Sequence, residues 1–351
     1  MATIGFRTTE QAAELLNPLK HFSAAAQRVQ LRTDPLLGHS AVYNPLIEEG
    51  VKTFIGAVDH PLVERLKDDS ASGCIFCPEK IEAVARFVPA LVPEGRIRVG
   101  EAVLFPNLLA LAPHHAVAVV SRAHFLELSE FTPDLIGNAL LGVRQYVAAV
   151  FAQDAAARHV SVNANYLFPA GASLMHPHFQ VLVSHEPYTH VARLLQACSD
   201  YCAAHGANYH NDLIDTERAR GERYIGATGA WHWLAAYAPL ASNEILAVHE
   251  SRGDFAALTD ADIAELARGM SATLRCYESL NYLSFNFTLY ARRDGAEDDG
   301  FNCLLRCMTR QNPYPNYRTD DFFLQKGLQT ELIVTLPETL AQRSREVLAA
   351  R

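Results

Sequence analysis

Two short segments of the sequence carry side chains that could bind a metal or form a polar functional site. The first is Cys74-Ile-Phe-Cys77, a C-x-x-C turn that can place two thiolates on the same side, as in half of a tetrahedral zinc site. The second is GASLMHPHFQVLV, in which His176, His178 and Gln180 share a face if Met175 to Val183 forms a strand. Three polar side chains on an otherwise apolar strand are costly to bury without partners, so this run indicates a site.

Both segments also have simpler interpretations. The cysteines could form a redox pair or be two buried apolar residues, but a thioredoxin-like motif follows a strand. Here KDDSASG at 67–73 precedes Cys74 and predicts a polar surface loop, which favours zinc. The neighbouring histidines could merely face solvent or bond to backbone.

A tetrahedral zinc would need two further ligands beside the cysteines, because the sequence has no second C-x-x-C. His124, which follows a predicted strand, and His176 are good candidates. His114 and His115 compete with them, and the sequence does not separate the two pairs.

The composition limits the class of protein. A chain of 351 residues with a net charge of -9 predicts two domains and argues against a general nucleic-acid binder. Seven cysteines without a secretion signal indicate thiols or metal ligands rather than disulfides. No apolar run approaches the length of a membrane span, so we expect a cytoplasmic protein that binds neither nucleic acid nor membrane.

The elements around these segments follow from periodicity and turn residues. Residues 8–31 are rich in Ala, Leu, Glu and Gln and predict one or two helices. A helix is predicted from Thr132, its N-cap, to Val150, with Pro133 at the first helical position. Apolar runs predict strands in 102–121, 159–166 and 175–184.

The same order of elements recurs in the second half. Residues 231–250 predict another strand pair, and FLELSEFTPDLIGNAL from Phe125 matches FAALTDADIAELARGM from Phe255. VSVNANYLF near 160 likewise has a counterpart in LSFNFTLYA near 283. An internal duplication is the simplest interpretation. It predicts an α+β fold of two halves, residues 1–187 and 188–351, each with a sheet and a long helix.

The motifs together resemble those of galactose-1-phosphate uridylyltransferases, which belong to the histidine-triad superfamily and have two related halves per chain. R-x-D-P-L-x-G at 32–38, C-x-F-C-P at 74–78, S-x-x-H at 121–124 and G-A-S-x-x-H-P-H-x-Q at 171–180 occur in that family's order. The resemblance implies two tandem histidine-triad-like halves, each an antiparallel sheet with packed helices. It also implies a homodimer.

The resemblance implies a role for each matching residue. Zinc would be held by Cys74, Cys77, His124 and His176. His178 would attack the α-phosphorus of a nucleotide sugar, and Gln180 would donate to a phosphoryl oxygen of the nucleotidyl-histidine intermediate. The residues implied near the phosphates and the nucleotide are Arg32, Asn165, Gly171, Ala172 and Ser173.

The chain departs from the family in three places. The arginine-rich segment that usually follows the first motif is replaced by VYNPLIEEGVKTF at 42–54, and the glycine often found two places after the asparagine is Leu167. The His-x-His of the second half is absent from FNCLLRCMTR at 301–310, where Arg306 and Arg310 could instead share a face and bind an anion.

We therefore expect a nucleotidyltransferase that moves a nucleoside monophosphate between a nucleotide sugar and a sugar 1-phosphate, of the UDP-glucose–hexose-1-phosphate type. The alternatives are a phosphorylase or hydrolase acting on an ADP-sugar or a dinucleoside polyphosphate, and a zinc-stabilised binding protein without catalysis. The intact H-P-H-F-Q run at 176–180 argues against the last, because a binding protein has no physical need for His178.

Overall fold

One antiparallel sheet of ten strands joins the two halves of the chain. In the computed structural model, which describes residues 4–48, 50, 58–293, 300–316 and 319–349, the strand order is β4-β5-β6-β8-β7-β12-β13-β11-β10-β9. The strands of this sheet are β4 Ile97–Val99, β5 Ala102–Pro106, β6 His114–Val119, β7 His159–Tyr166, β8 His178–Ser184, β9 Tyr224–Thr228, β10 Trp231–Ala235, β11 Ile245–His249, β12 Ser284–Arg292 and β13 Leu304–Arg310.

The strand order shows the predicted duplication directly. Read inward from its two ends, the sheet has the same order in each half, and the halves meet where β7 pairs antiparallel with β12. The expectation of an α+β fold with two related halves is therefore confirmed. The predicted boundary at residue 187 falls between β8 and the next helix and stays a prediction, since the sheet is continuous across it.

The helices pack on both faces of the sheet. The described helices are α1 His60–Ala71, α2 Pro133–Gln153, α3 Thr189–His205, α4 Tyr209–Arg220, α5 Asp260–Ser279, α6 Phe323–Leu328 and α7 Pro337–Ala349. The long helices α2 and α5 share one large apolar core with the sheet. On the opposite face, residues of α3 and α4 form a second cluster with Leu234, Leu246 and Leu304.

Helix α2 begins as the sequence predicts, with Thr132 as N-cap accepting from the amide of Leu135 and Pro133 in the first turn. Its length and mean hydropathy of 1.4 would suffice to cross a membrane, which the sequence analysis did not anticipate. Ten of its residues are buried, and it packs in the core against α5. Core burial therefore accounts for its apolar composition.

The register of the repeat differs from the predicted one by three residues. A short 3-10 helix begins at Leu128 in the first half and at Phe255 in the second, so Leu128 corresponds to Phe255 rather than to Leu258. Both following helices begin after a threonine N-cap, Thr132 or Thr259. The matched Phe125 and Phe255 therefore do not occupy equivalent positions.

A second, smaller sheet forms where helices were predicted. Residues 8–31 fold into a hairpin of β1 Arg7–Asn17 and β2 Ser23–Thr33, which are paired along their whole length. β3 Ser40–Tyr43 and β14 Thr330–Leu332 extend this sheet. The helix prediction is wrong because it used local composition alone, whereas pairing between β1 and β2 along their whole length fixes this segment, and β3 adds pairing at the base of β2.

Two smaller predictions also fail. Lys67 to Ala71 belong to the last turn of α1 rather than to a loop, and β8 begins at His178 rather than at Met175. The end of the segment 42–54 lies outside the described residues.

Gly269 lets α5 lie close to Trp233 of the sheet, and a substitution there should destabilise the fold. Gly137, the comparable glycine of α2, serves as a control. A Cβ at Gly269 would lie 1.9 Å from Cζ2 of Trp233, whereas one at Gly137 of α2 would meet only the Cβ of Ala267 at 3.6 Å. Trp233 is fully buried and has no room to move. We therefore expect Gly269→Ala to lower the free energy of unfolding by about 3 kcal/mol. Gly137→Ala should raise it by up to about 1 kcal/mol, and urea denaturation of both variants measures the difference.

Candidate metal centre and nucleotidyl-transfer site

The four residues predicted to hold zinc come together in the first half. Cys74 and Cys77 lie in the turn after α1, His124 lies in the loop after β6, and His176 precedes β8. Their ligand atoms all lie within 4.8 Å of one another. His114 and His115, the competing candidates, do not belong to this cluster.

The distances in the cluster fit a tetrahedral metal. The Sγ of Cys77 lies 3.5 Å from Nδ1 of His124 and 3.6 Å from Nδ1 of His176, and the Sγ of Cys74 lies 3.7 Å from the same Nδ1. Sulfur and nitrogen ligands of one zinc ion are expected about 3.6 Å apart, given bonds of about 2.3 and 2.0–2.1 Å. The arrangement needs little rearrangement to bind zinc.

The second nitrogen of each histidine is already hydrogen-bonded, which fixes the ligand atoms. Nε2 of His176 donates to the carbonyl of Ser121 at 2.8 Å. Nε2 of His124 donates to Oγ of Ser70 at 2.9 Å, and that hydroxyl in turn donates to the carbonyl of Lys67. Both Nδ1 atoms are thereby free to bind a metal, as outer partners of metal-binding histidines usually ensure.

Burial favours the neutral forms of these groups in the absence of a metal. It lowers the pKa of His176 to about 4, so its ring is an uncharged ligand at neutral pH. Burial, together with the neighbouring Cys74, raises the pKa of Cys77 to about 11. A bound cation would have to displace the thiol proton, so metal binding releases protons here.

His178 lies beside this centre, and one of its two ring nitrogens is hydrogen-bonded to the backbone. Its Nδ1 donates to the carbonyl of His176 at 2.8 Å, and no hydrogen bond to its Nε2 forms within the described part of the chain. Burial lowers the pKa of His178, which favours the neutral imidazole. Phe76, between the two cysteines, packs edge-on against the His178 ring at 5.2 Å. The cysteine turn therefore also supports the ring with the free Nε2.

Gln180 is oriented by His115. The amide of Leu111 donates to Nδ1 of His115 at 3.1 Å, so the neutral ring carries its proton on Nε2. That nitrogen lies 3.0 Å from Oε1 of Gln180 and 3.2 Å from Nδ2 of Asn107, and it donates to Gln180 because only the oxygen of the two can accept its proton. The NH₂ group of Gln180 is left to donate to a ligand. From the sequence alone His115 was only a rival metal ligand, and no motif indicated its contact with Gln180.

Asn165 is held by a residue of the second half. Nδ2 of Asn286, on β12, donates to Oδ1 of Asn165 at 2.7 Å and to the carbonyl of Ala170 at 2.9 Å. Oδ1 of Asn286 accepts from Arg310 at 2.8 Å. Because its own oxygen is engaged, Asn165 presents its NH₂ group near Gly171. No spacing or motif indicated Asn286, whose contact with Asn165 depends on the β7–β12 register.

The family resemblance implies that the loop around Gly171 lies near the phosphates. Backbone N–H groups of this loop form hydrogen bonds within the loop itself. The N–H groups of Gly171 and Ala172 donate to the carbonyls of Phe168 and Leu167, while the side chain of Ser173 is exposed. Leu167, at the position where the family often has glycine, has φ +67° in the left-handed region that favours glycine. The turn after Asn165 therefore forms with leucine at the position where the family often has glycine.

The three arginines considered for anion binding are all paired with carboxylates. Arg32 donates through both terminal nitrogens to Glu338 at 2.9 and 3.1 Å, and none of its hydrogen bonds within the described residues reaches β8. Arg306 pairs with the buried Glu244 at 2.7 Å. Arg310 pairs with Asp320 and is linked to the site through Asn286.

A separate open cavity of about 900 Å³ lies between the small sheet and α3. It is lined by Gly38, His39, Arg193, Gln325 and Glu331, among others, and by none of the predicted catalytic or metal-binding residues. The sequence analysis did not anticipate this cavity. Its most unusual group is Glu331, whose Oε1 accepts from Gln325 at 2.9 Å.

Glu331 predicts a pH-dependent stability. Burial raises the pKa of Glu331 to about 7, so between about pH 4.5 and pH 7 the unfolded chain loses a proton that the folded chain keeps. Stability therefore falls as pH rises through this window, by up to about 3 kcal/mol. We expect Glu331→Gln to become more stable than the wild type by this amount at pH 8 and to match it near pH 4. Urea denaturation at both pH values tests this, with exposed Glu346→Gln as control; a pH-independent difference would contradict it.

Comparison with known proteins finds a relative by sequence and several solved structures with the same fold. No protein-family model matches the chain. A protein of Archaeoglobus fulgidus, described as uncharacterized, is 32% identical over 282 residues, which cover 80% of this chain and 83% of that protein.

Solved structures share the fold at low identity. An ADP-glucose phosphorylase from Arabidopsis thaliana, solved with bound ADP-glucose, superposes with a TM-score of 0.68 at 17% identity over 91% of this chain and 99% of its own. A galt-like protein from the same plant gives 0.67 at 17% over 90% and 98%. A uridylyltransferase gives 0.62 at 18% over 72% and 86%. The chain therefore belongs to one family with the Archaeoglobus fulgidus protein and has the two-half fold of the galactose-1-phosphate uridylyltransferase-like proteins.

Proposed function

We propose that this protein is a nucleotidyltransferase that takes a nucleoside monophosphate from a nucleotide sugar onto His178 and passes it to a sugar 1-phosphate. The observation that carries the proposal is the state of the His178 ring. Its Nδ1 is bound to the His176 carbonyl at 2.8 Å, so the lone pair on Nε2 is available to attack phosphorus.

The reaction proceeds by two displacements. In the first, Nε2 of His178 forms a bond to the α-phosphorus while the bond from that phosphorus to the departing sugar phosphate breaks. In the second, a phosphate oxygen of the acceptor attacks the same phosphorus, the P–N bond breaks and His178 is released. Splitting the transfer in this way lets one pocket accept two similar sugar phosphates in turn.

In the proposed reaction, two amide side chains bind the phosphoryl oxygens. Gln180, with its oxygen held by His115, donates through its NH₂ group to the transferred phosphoryl group. Asn165, with its oxygen held by Asn286, donates from the opposite strand. Donors that are oriented before the substrate arrives stabilise developing charge without a reorganisation cost.

Zinc, held by Cys74, Cys77, His124 and His176, would supply structural support beside the reacting centre. A site with four protein ligands leaves no open position for substrate. His176 is linked to His178 by the hydrogen bond from Nδ1 of His178 to the backbone carbonyl of His176. Holding His176 therefore also holds the acceptor that orients the His178 ring.

A panel of donors and acceptors tests the proposal. UDP-, ADP-, GDP- and dTDP-glucose would each be offered with galactose 1-phosphate, inorganic phosphate or water, and the products separated by chromatography. We expect a new nucleotide sugar with galactose 1-phosphate. A nucleoside diphosphate formed with inorganic phosphate would instead make the protein a phosphorylase, and a free nucleoside monophosphate would make it a hydrolase. No product with any pair would contradict the proposal.

The orientation of Gln180 by His115 makes a separate prediction. We expect His115→Ala to lower kcat by about 10- to 100-fold, because an unoriented donor is easily misplaced by about 1 Å. Metal content should not change. In steady-state kinetics, the double variant His115→Ala/Gln180→Ala should be no slower than Gln180→Ala alone. Additive losses in the double variant would show that His115 acts independently of Gln180.

The expected homodimer also stays a prediction. Light scattering on the purified protein measures its mass against the 38.7 kDa of one chain.

A further inference from the structure

A second cluster of metal-binding side chains lies outside the site described above. His114 begins β6, Asp154 follows the last residue of α2, and His185 follows β8. Nε2 of His114 and Nε2 of His185 both lie 2.8 Å from the same atom, Oδ2 of Asp154. The three ligand atoms lie within 4.8 Å of one another.

Asp154 is held so that this oxygen faces the two histidines. Its backbone N–H caps α2 by donating to the carbonyl of Val150, and its Oδ1 accepts from the amide of Ala156 at 2.9 Å. Hydrogen bonds from His114 and His185 also lower the pKa of Asp154. The carboxylate is therefore ionised at neutral pH, with one oxygen fixed and the other shared by two imidazoles.

The cluster is accessible to ions from solvent. The side chains of His114, Asp154 and His185 are 21%, 24% and 44% exposed. Two imidazole nitrogens and one carboxylate oxygen suit zinc, nickel or cobalt, whereas calcium and magnesium prefer oxygen ligands alone.

We infer that His114, Asp154 and His185 form a second, weaker site for a divalent transition-metal ion. On a tetrahedral ion with bonds of about 2.0–2.1 Å the nitrogen and oxygen ligands would lie about 3.3 Å apart. The present 2.8 Å contacts would open by about half an ångström, which partly exposed side chains permit.

Two features make this site weaker than the cysteine centre. It offers three protein ligands and no thiolate, so water must complete the coordination. Arg293 also donates to the backbone carbonyl of Asp154 at 3.3 Å, which places a positive charge nearby. A bound ion would tie the end of α2 to β6 and β8, the strands that carry His115 and Gln180.

Cobalt(II) is a suitable probe because its spectrum distinguishes the two centres. Full-length protein without a polyhistidine tag, with the cysteine centre loaded with zinc, would be titrated with cobalt(II) and followed by calorimetry and visible absorption. We expect one equivalent to bind with d–d bands but without the near-ultraviolet thiolate-to-cobalt band that cysteine ligands give.

Two variants and one control decide the assignment. Asp154→Asn keeps the acceptor for the Ala156 amide, and His185→Gln changes a partly exposed side chain, so both should fold and melt near the wild-type temperature. Each should bind cobalt at least about 100-fold more weakly, while His205→Gln, an exposed histidine elsewhere, should bind normally. No saturable binding by the wild type, or unchanged binding in both variants, would show that the three side chains form only a hydrogen-bonded clamp and would overturn the proposal.

Discussion

His178→Ala is expected to abolish nucleotidyl transfer while the protein keeps its metal. Without the imidazole no covalent intermediate forms, and the loss in kcat should be at least about 10⁴-fold. The metal should stay because the four clustered ligands are Cys74, Cys77, His124 and His176. Initial rates with the active donor, together with metal analysis by mass spectrometry, measure both quantities.

The control for this variant is His205→Ala, which removes an exposed histidine and should leave rate and metal content unchanged. A fall in metal content of His178→Ala would show that His178 is itself a ligand. A rate close to that of the wild type would show that the acceptor attacks the donor directly, without a histidine intermediate.

Cys77→Ser is expected to remove the metal and to destabilise the fold at the same time. The Cys77 thiol lies within 3.6 Å of both ligand histidines, and a serine hydroxyl is a poorer zinc ligand than a thiolate. Since metal binding contributes to folding, a loss of several kcal/mol should lower the melting temperature by about 5 °C. Calorimetry and metal analysis on the same samples test this.

The matched control is Cys202→Ser, which changes a half-buried thiol outside the cluster. It should keep both the metal and the melting temperature. Full metal content in Cys77→Ser would contradict the assignment of the cysteine turn as half of the centre.

Local sequence motifs predicted which side chains cluster better than local composition predicted the surrounding structure. The C-x-x-C turn and the H-P-H-x-Q run identified three of the four clustered side chains, Cys74, Cys77 and His176, whereas His124 was separated from His114 and His115 only by what the family resemblance implied. The helix from Pro133 and the strand from His159 to Tyr166 were also predictable, since a capping threonine and alternating burial are local signals.

Features that depend on distant residues were not predictable in this way. Residues 8–31 have helix-forming composition but form a hairpin in which each strand is the other's pairing partner, and only the base of β2 also pairs with β3. His115 was not distinguished from the metal ligands, since its hydrogen bonds to Leu111 and Gln180 arise only once β6 and β8 pair. Asn286 contacts Asn165 across 121 residues, and no spacing in the sequence indicates it.

The covalent intermediate tests the central claim most directly. Wild type and His178→Ala would be incubated side by side with UDP-, ADP-, GDP- and dTDP-sugars at mildly alkaline pH, where a phosphoramidate survives, and measured by intact mass spectrometry. The account predicts a mass increase of one nucleoside monophosphate on the wild type alone, located by peptide mapping to His178, and the donor that gives it identifies the base. An equal adduct on both proteins, or product formation by a wild type that never carries an adduct, would contradict it.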